Sequence, residues 1–420
     1  MLRSCSIRFV LTALLLAVPL LSVSAEPIKL GLNYPETGRY EYLGQQQRLG
    51  AFLAVEEINA SGGILGQPVE LVIRNTRLDP KRGVANVIEM IDEEGVHMLF
   101  GGVSSAVAIA SGRAARERDR IYFGTLTYAN QTTGEAAHTH MFRESYNAWM
   151  TARALGKFLS TEFSDKKYFY ITADYNWGYS VEDSVRSQSG TQDSERHPVV
   201  RTPFPNARTK DFQDALNEAE ASGAGVLVLV LGGGDMVRAV NMIHDMGLKD
   251  KMQIVWPNTS LGTALQLGPT LMEGIIGAAP WFWTLPYEHN HTRGIEFVEA
   301  FTEAYDMRPS SPAASAYSIV YQYKDAVERA GTTRTADVIR ALEGHRYSLL
   351  KDEQEWRAFD HQNVQSVYVV RMKPRPDVIK DPYNSDFYEI LDTIDGATAA
   401  RTLEQWQEVR RAAGAPLTLQ

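Results

Sequence analysis

Cysteine is nearly absent from this chain of 420 residues, and its position is informative. The single cysteine, Cys5, lies in an N-terminal segment that begins with Arg3 and Arg8, continues with the apolar run Phe9–Leu21 and ends in small residues at Ala25. This pattern is typical of a secretory signal peptide, and the run is too short to span a membrane. We therefore predict that residues 1–25 are removed after Ala25. The remaining 420 − 25 = 395 residues would be exported without a disulfide or a lipid-attachment cysteine, which favours a soluble protein.

Basic charge and long apolar runs are also scarce. Removal of the signal takes two arginines, so 42 − 2 = 40 basic residues face 51 acidic ones, a net charge of −11 with histidine neutral. No basic stripe stands out against this excess, which argues against a nucleic-acid partner. No apolar run after the predicted signal reaches the length that a membrane-spanning helix requires.

Motifs of common enzyme and cofactor classes are missing. The sequence has neither a G-x-G-x-x-G nor a Gly-Lys-Ser/Thr loop for phosphates, and no G-x-S-x-G nucleophile turn. We interpret Gly232-Gly233-Gly234, which follows an apolar strand, as a tight turn that lets backbone approach a ligand. Asp360-His361-Gln362 is interpreted as a turn between two strands, Trp356–Phe359 and Ser366–Met372. We therefore expect neither catalysis nor a cofactor.

Two histidine pairs could suggest a metal site. One pair is His138 and His140, and the other is His289 and His291. Both pairs lie in polar loops without cysteine or carboxylate at the spacing of metal ligands. We predict that these are surface histidines and that the protein has no metal site.

The stretch Val96–Tyr128 has the pattern of a ligand-binding α/β unit. It predicts a strand at His97–Phe100, a turn at Gly101–Ser105, a helix at Ala106–Arg118, a strand at Ile121–Phe123 and a turn at Gly124–Tyr128. Both turns follow the carboxyl ends of strands, where open α/β sheets bind ligands. Hydroxyls and backbone N–H groups at a helix start suit an anionic group. This stretch is therefore expected to form half of a small-molecule site.

Similar strand–helix units fill the chain on both sides of about Tyr146. The two series have similar lengths and no low-complexity linker between them. They predict an α/β protein of two lobes, each a doubly wound parallel sheet, that share segments of chain. A last helix is expected at Thr402–Ala413.

The segment Pro35–Gly66 carries the most specific resemblance to a known family. It contains P-x-T-G and, further on, A-V-E-E-I-N-A-S-G-G-I-L-G. With Asp79-Pro80-Lys81, the Gly-Gly-Val-Ser-Ser turn, Asp174–Gly178 and Ala314–Gly331, the order of these pieces resembles the leucine/isoleucine/valine-binding family of periplasmic solute-binding proteins of ABC importers. The resemblance covers almost the whole chain after the signal. It implies the type I, Venus-flytrap fold, in which two α/β lobes joined by three crossovers close on a solute.

The resemblance also implies where the lobes begin and end. The crossovers are expected near Tyr146, Ala278 and Trp356. We predict an N-terminal lobe of residues 26–146 plus 279–355, a C-terminal lobe of residues 147–278 plus 356–400, and a C-terminal tail helix within residues 401–420.

Ligand-binding residues follow from the same resemblance, position by position. Ser105, with Ser104 beside it, falls where the family binds a carboxylate, and Leu126, Thr127 and Tyr128 form the turn that holds the polar end of the ligand. Further candidates are Trp177, Gly232, Asn258, Tyr42 (beside Leu43 and Tyr40) and Trp281. Other interpretations stay open, since Ser104 and Ser105 could simply cap a helix, Trp177 could belong to the core, and Trp281 could pack at the hinge.

Asn258 is the departure that bears on the solute. It falls where branched-chain amino-acid binders carry a glutamate that pairs with the ligand's ammonium. An unpaired buried ammonium costs about 3–5 kcal/mol, more than the about 0.5–1.5 kcal/mol of one added aromatic contact. Unless Glu144 or another carboxylate substitutes, the residues favour a carboxylate or polar solute with an aromatic or apolar body.

The expected function is capture of a small solute in the periplasm and its delivery to a membrane permease. The candidate solutes are an amino acid, an amide or a small aromatic or aliphatic carboxylate, and we expect a monomer. The alternatives are a periplasmic ligand-sensing subunit of a signalling receptor and an exported hydrolase.

Overall fold

Five parallel strands form the first sheet of the computed structural model, which describes residues 26–420. The strands are β1 (Ile28–Tyr34), β2 (Val69–Asn75), β3 (Met98–Gly101), β4 (Ile121–Gly124) and β5 (Met141–Arg143), in the order β2-β1-β3-β4-β5. Strands β3 and β4 confirm the strands predicted at His97–Phe100 and Ile121–Phe123, whereas β5 was not predicted. The predicted signal peptide, its cleavage after Ala25 and Cys5 lie outside the described residues.

The second sheet begins with another parallel series. Its strands are β6 (Tyr168–Ala173), β7 (Val199–Thr202), β8 (Val226–Val230), β9 (Gln253–Asn258) and β10 (Ile276–Ala279), paired in the order β10-β9-β8-β6-β7. Strand β8, with the sequence VLVLV, is buried along its whole length. A continuous β-branched and leucine run is what a strand covered on both faces requires.

Three short strands that follow β10 in the chain form a small antiparallel sheet. It contains β11 (Arg346–Tyr347), β12 (Gln354–Trp356) and β13 (Asn363–Val364). The predicted pairing of Trp356–Phe359 with Ser366–Met372 is therefore wrong. The chain turns directly after Trp356, because the Asp360 carboxylate accepts hydrogen bonds from Arg357 Nε (2.9 Å) and Gln362 N (3.1 Å).

Strands β14 (Val367–Met372) and β15 (Tyr388–Ile394) complete the second sheet at one edge. Strand β14 pairs antiparallel with β10, and β15 pairs antiparallel with β14. The second sheet thus keeps the predicted parallel series and extends it with two antiparallel strands. Antiparallel neighbours need no helical crossover, so the strand–helix rhythm on which the prediction rested is lost here.

Helices cover both sheets. Their bounds are α1 (Glu41–Ala60), α2 (Pro80–Asp92), α3 (Ser105–Arg116), α4 (Ala148–Glu162), α5 (Asn176–Ser189), α6 (Thr209–Ala221), α7 (Gly234–Asp245), α8 (Leu261–Leu267), α9 (Pro269–Met272), α10 (Leu285–Glu288), α11 (Thr292–Tyr305), α12 (Ser311–Ala330), α13 (Thr335–Leu342), α14 (Arg375–Val378), α15 (Gly396–Ala399) and α16 (Leu403–Ala412). The long predicted helices are confirmed with shifted ends. In α2, Pro80 takes the first position and the Asp79 carboxylate caps the helix by accepting from Lys81 N at 2.8 Å.

Helix α12 belongs to the first lobe although it follows the strands of the second. It packs along α1, and the hydroxyls of Tyr317 and Tyr321 donate to Glu57 of α1 at 2.5 and 2.6 Å. The chain therefore passes between the lobes more than once, and the two-lobed fold predicted from the resemblance is confirmed. The exact lobe boundaries stay predictions.

Buried polar groups tie the passages between the lobes together. Arg143, which is fully buried, donates from Nε to Gln362 Oε1 at 2.7 Å. The Lys351 ammonium donates to the carbonyls of Pro280 (2.7 Å) and Ser366 (2.8 Å). The Arg143–Gln362 and Lys351–Pro280 bonds each join two segments in which different crossovers are expected, whereas the Lys351–Ser366 bond lies within one such segment.

The predicted last helix is confirmed as α16, and it returns to the first lobe after β15. The Trp406 indole donates to the carbonyl of Thr133 at 2.8 Å, and Arg410 Nη1 donates to that of Gly134 at 2.7 Å. Across residues 26–420, none of the helices combines the length and apolar content needed to cross a membrane.

Candidate functional site

A cavity of about 140 Å³ lies between the two lobes, where the carboxyl ends of strands from both sheets meet. Residues that follow β1, β3 and β4 form its first-lobe wall, and residues at the ends of β6, β8 and β9 form its second-lobe wall. This is where parallel α/β sheets bind ligands. Of the predicted site residues, the cavity brings together Tyr42, Leu126, Tyr128, Trp177, Gly232, Asn258 and Trp281.

Aromatic rings dominate the cavity wall. Tyr128 packs edge-on against Tyr146 at 5.0 Å between ring centroids, which fixes the Tyr128 ring beside the cavity. Trp281 is 5% exposed and packs edge-on against Phe297 at 5.8 Å, so it both lines the cavity and joins the first-lobe core. Trp177 is half-buried in the second lobe. Such a wall suits a flat or apolar ligand body.

Asn258 ends β9 and points its amide at buried hydroxyls. Its Nδ2 donates to the Tyr146 hydroxyl at 3.0 Å and to Thr151 Oγ1 at 3.2 Å. The Tyr146 hydroxyl in turn donates to the carbonyl of Ala278 at 3.2 Å. Asn258 is 7% exposed and carries no charge. A neutral amide therefore stands where the resemblance implies a glutamate in the amino-acid binders.

Charge is scarce along the cavity. Among the described lining residues, Arg39 is the one charged side chain, and Arg39 is already paired with Asp235 at 2.9 Å. Burial raises the pKa of Tyr42, of Tyr128 and of Tyr388, so these phenols stay neutral hydrogen-bond donors at neutral pH. The lining offers a ligand polar, neutral partners and no carboxylate.

The two predicted serines and Thr127 lie beside the cavity rather than on its wall. Ser105 is the first residue of α3, is 4% exposed, and accepts a hydrogen bond from the backbone N–H of Ala129 at 3.2 Å. Ser104 is the N-cap residue of α3, although its side chain makes no capping bond. The side chain of Thr127 is buried. A role for these three residues in ligand binding stays a prediction.

Comparison with known protein families identifies the family to which this chain belongs. A family model described as periplasmic binding protein matches residues 27–377, most of the chain. The chain belongs to the periplasmic binding protein family. This membership confirms the predicted resemblance, and the family consists of solute-binding proteins rather than enzymes.

Relatives and solved structures of this family agree on the fold. The chain is similar to Leu/Ile/Val-binding protein homolog 8 of Brucella abortus, with 27% identity over 68% of this chain and 72% of that protein. It is also similar to the crystal structure of a periplasmic binding protein from Burkholderia mallei (24% identity, 91% and 98% coverage, TM-score 0.81). A third similar structure is an ABC transporter solute-binding protein from Rhodopseudomonas palustris in complex with 3,4-dihydroxybenzoic acid (17% identity, 88% and 98% coverage, TM-score 0.75).

In this periplasmic binding protein, Glu144 does not reach the solute cavity. It lines a separate chamber behind Pro280 and Trp281, together with Lys351 and Ser315. Burial raises the pKa of Glu144, and burial lowers the pKa of Lys351 to about 8. The carboxylate that could have replaced the family glutamate therefore belongs to the hinge rather than to the cavity.

The predicted surface histidines are only partly at the surface. His289 is exposed, but His138 is 4% exposed, and burial lowers its pKa to about 3. The prediction failed for His138 because its loop is covered by the C-terminal segment around Arg410. Within residues 26–420, no group of three side chains is arranged to hold a metal ion. His361 is fully buried, stacks on Phe142 at 3.8 Å and contacts Glu343 at 3.0 Å.

Several residues that line the cavity were not predicted from the sequence. Tyr388 lies in β15, which follows a segment without the strand–helix rhythm and was not predicted. Ser310 is the N-cap residue of α12 and Ser311 is its first residue; a polar pair between two prolines could have marked a helix start but not a ligand wall. Arg39 and Tyr175 gave no signal in the sequence, because their place depends on how the lobes meet.

Proposed function

We propose that this protein is the solute-binding component of an ABC importer, which captures a small solute in the periplasm and delivers it to a membrane permease. In this proposal residues 1–25 are the export signal, cleaved after Ala25. The observation that carries it is the cavity between the lobes, lined from both sides at the carboxyl ends of the strands. A solute held there contacts both lobes, so binding favours the closed arrangement.

The solute class follows from what the cavity wall offers. Among the described lining residues no carboxylate faces the cavity, Asn258 is neutral, and Glu144 lies in the hinge chamber. An α-ammonium would therefore be buried without a countercharge. We propose a small carboxylate or polar solute with an aromatic or apolar body, rather than a zwitterionic amino acid. The dihydroxybenzoic acid bound by the Rhodopseudomonas palustris protein belongs to this class.

The contacts of that solute are part of the proposal. Trp177 and Trp281 contribute flat apolar surface, and Tyr42 and Tyr128 contribute hydroxyl donors that burial keeps neutral. The amide of Asn258 and the backbone at Leu126 and Gly232 complete the wall, with Ser104, Ser105 and Thr127 behind it.

A thermal-shift screen tests the solute class. The purified chain from Glu26 is melted with amino acids, amides, aromatic acids and short carboxylates, each over a range of concentrations. A true ligand raises the melting temperature increasingly with concentration, since it binds the folded state alone. We expect shifts from aromatic or apolar carboxylates. Tight calorimetric binding of leucine or valine would refute the class while leaving solute binding intact.

Uptake in the living cell tests the transport role. Deletion of the gene should abolish import of the solute found in the screen, and the gene carrying the intact signal should restore it. Unchanged import combined with loss of a transcriptional response would instead support the sensing alternative. Size-exclusion chromatography with light scattering tests the expected monomer.

A further inference from the structure

Arg39 reaches from the first lobe across the mouth of the cavity to the second lobe. It lies in the loop between β1 and α1, and its Nη1 donates to Asp235 Oδ2 of α7 at 2.9 Å. Its Nη2 donates to the carbonyl of Pro205, and its guanidinium lies over the ring of Phe204 at 5.1 Å. All three partners belong to the second lobe, so one side chain makes a charge pair, a backbone hydrogen bond and a cation–π contact across the cleft.

The acidic partner of this contact is enclosed. The Asp235 side chain is 3% exposed, whereas the Arg39 side chain is 26% exposed. Among the described residues of its own lobe, Arg238 is the cationic side chain within 4 Å of the Asp235 carboxylate, at 3.8 Å. Opening of the lobes would withdraw Arg39 and leave Asp235 with this longer pair. The Arg39–Asp235 pair, the hydrogen bond to Pro205 and the contact with Phe204 therefore exist together only while the lobes are closed.

The residues next to Arg39 fit against glycines of the second lobe. A Cβ atom built on Gly232 would lie 3.3 Å from the Tyr40 hydroxyl, and one on Gly262 would lie 2.1 Å from Cδ1 of Tyr42. We call Arg39–Tyr42 the strap. The Tyr42 ring of the strap occupies space that a side chain at position 262 would fill, and Tyr40 packs tightly on Gly232, so the two surfaces are complementary in shape as well as in charge.

We propose that Arg39 is a positioning residue that holds the cleft closed through Asp235, Pro205 and Phe204, so that the closed form is populated without solute. This proposal rests on the proposed function in one respect, namely that the molecule held in the closed cleft is the solute. Closure then depends on contacts between the lobes as well as on the solute, and loss of Arg39 speeds solute release by favouring the open form.

The lobe separation can be measured without any ligand. The chain from Glu26 contains no cysteine, so one spin label can be placed on each lobe through Lys81→Cys and Glu218→Cys, both exposed positions. Double electron–electron resonance on protein stripped of solute by unfolding and refolding gives the distribution of distances. We expect two separations, and we expect Arg39→Met to lower the closed-to-open ratio about tenfold, which corresponds to about 1.4 kcal/mol.

Variants of both partners separate the contact from other effects. Asp235→Asn should lower the ratio less, because Arg39 keeps its contacts with Pro205 and Phe204, and the double variant should go no further than Arg39→Met. Arg39→Lys keeps the positive charge but not the planar guanidinium with its several N–H donors. Its closed-to-open ratio should lie between those of wild type and Arg39→Met. Arg208→Met is the matched control, since Arg208 pairs with Asp211 inside the second lobe.

Three results would overturn the proposal. These are a wild-type distribution with only the open separation, a change below twofold in Arg39→Met, and full additivity of the two single variants. Thermal melting of each variant shows whether it folds, and Arg39→Lys supplies the comparison if Arg39→Met does not. Because no solute is present, failure of the proposed function leaves this measurement unchanged.

Discussion

Replacement of Gly262 by alanine should weaken solute binding without weakening the fold. Gly262 is the second residue of α8, where alanine is a better helix former than glycine. In the closed arrangement the added Cβ would lie 2.1 Å from Cδ1 and 2.4 Å from Cε1 of Tyr42. Both distances are far below normal contact, so the Tyr42 ring must move before the lobes can close.

The size of the effect follows from the cost of overpacking. An extra methyl group in a well-packed contact costs about 1–3 kcal/mol. Since the collision exists only when the lobes are closed, this cost falls on binding, and we expect an affinity loss of about 5- to 150-fold. The melting temperature without solute should stay level or rise slightly, because the open form gains a better helix former. Lower affinity for the solute at an unchanged melting temperature would show that the added methyl group hinders lobe closure rather than destabilising the fold.

Titration calorimetry with the solute from the screen, together with thermal melting, measures both quantities. Gly234→Ala is the matched control, since a Cβ there meets no atom within 4 Å. Tyr42→Leu combined with Gly262→Ala should recover part of the lost affinity. Wild-type affinity in Gly262→Ala alone would show that Tyr42 does not pack on Gly262 in the solute-bound protein, and the reasoning would fail.

Three further changes test other parts of the molecule. Ser105→Ala removes the acceptor for the Ala129 N–H and should lower the unfolding free energy by about 0.5–1.5 kcal/mol in urea titrations. An equal loss of affinity for a carboxylate would support the sequence-based role of Ser105 in ligand binding. Unchanged affinity would show that the hydroxyl makes a structural hydrogen bond alone. Trp177→Ala should weaken solute binding about tenfold in titration calorimetry, with little change in melting temperature. The reason is that loss of an aromatic contact in a cavity removes about 1 kcal/mol or more of binding free energy. Undiminished affinity would place Trp177 in the core alone. Lys351→Met tests the hinge: burial lowers the pKa of Lys351 to about 8, below the ordinary value of lysine, so between these two pH values the unfolded chain binds more protons than the folded one. The wild type should therefore gain about 3 kcal/mol relative to the variant as the pH rises from about 8 to about 10.4, and parallel stability curves would contradict this assignment.

The parts of the fold with a regular strand–helix rhythm were predictable from the sequence. Strand β8 and the helix after it could be identified because a buried parallel strand is apolar throughout and its crossover helix is amphipathic. Strand β15 lies at a sheet edge and mixes buried, half-buried and exposed residues without regular alternation, so its pattern gave no prediction. The pairing of Trp356–Phe359 failed because a hydrogen-bonded turn at Asp360 ended the strand early.

The candidate site was predictable only where single segments carry it. Leu126 and Tyr128 follow β4 and Asn258 ends β9, so their position at the carboxyl edge follows from topology, and the cavity includes them. Ser105 follows a strand as well, yet its hydroxyl turns to the Ala129 N–H, a choice made by local rotamers that no spacing rule encodes. Arg39 and Tyr388 could not be found, because their place depends on the relative position of two lobes.

The return of α16 to the first lobe has a mechanical consequence. The Trp406 and Arg410 side chains anchor this helix to Thr133 and Gly134, so the segment after β15 forms a further connection beside the crossovers. Connections spread along one side of two bodies oppose rotation of one body about the long axis of the molecule, while leaving them able to bend about the line of attachment. We therefore expect the lobes to bend about their connections more readily than they twist, so that Arg39 meets Asp235 again when the lobes close.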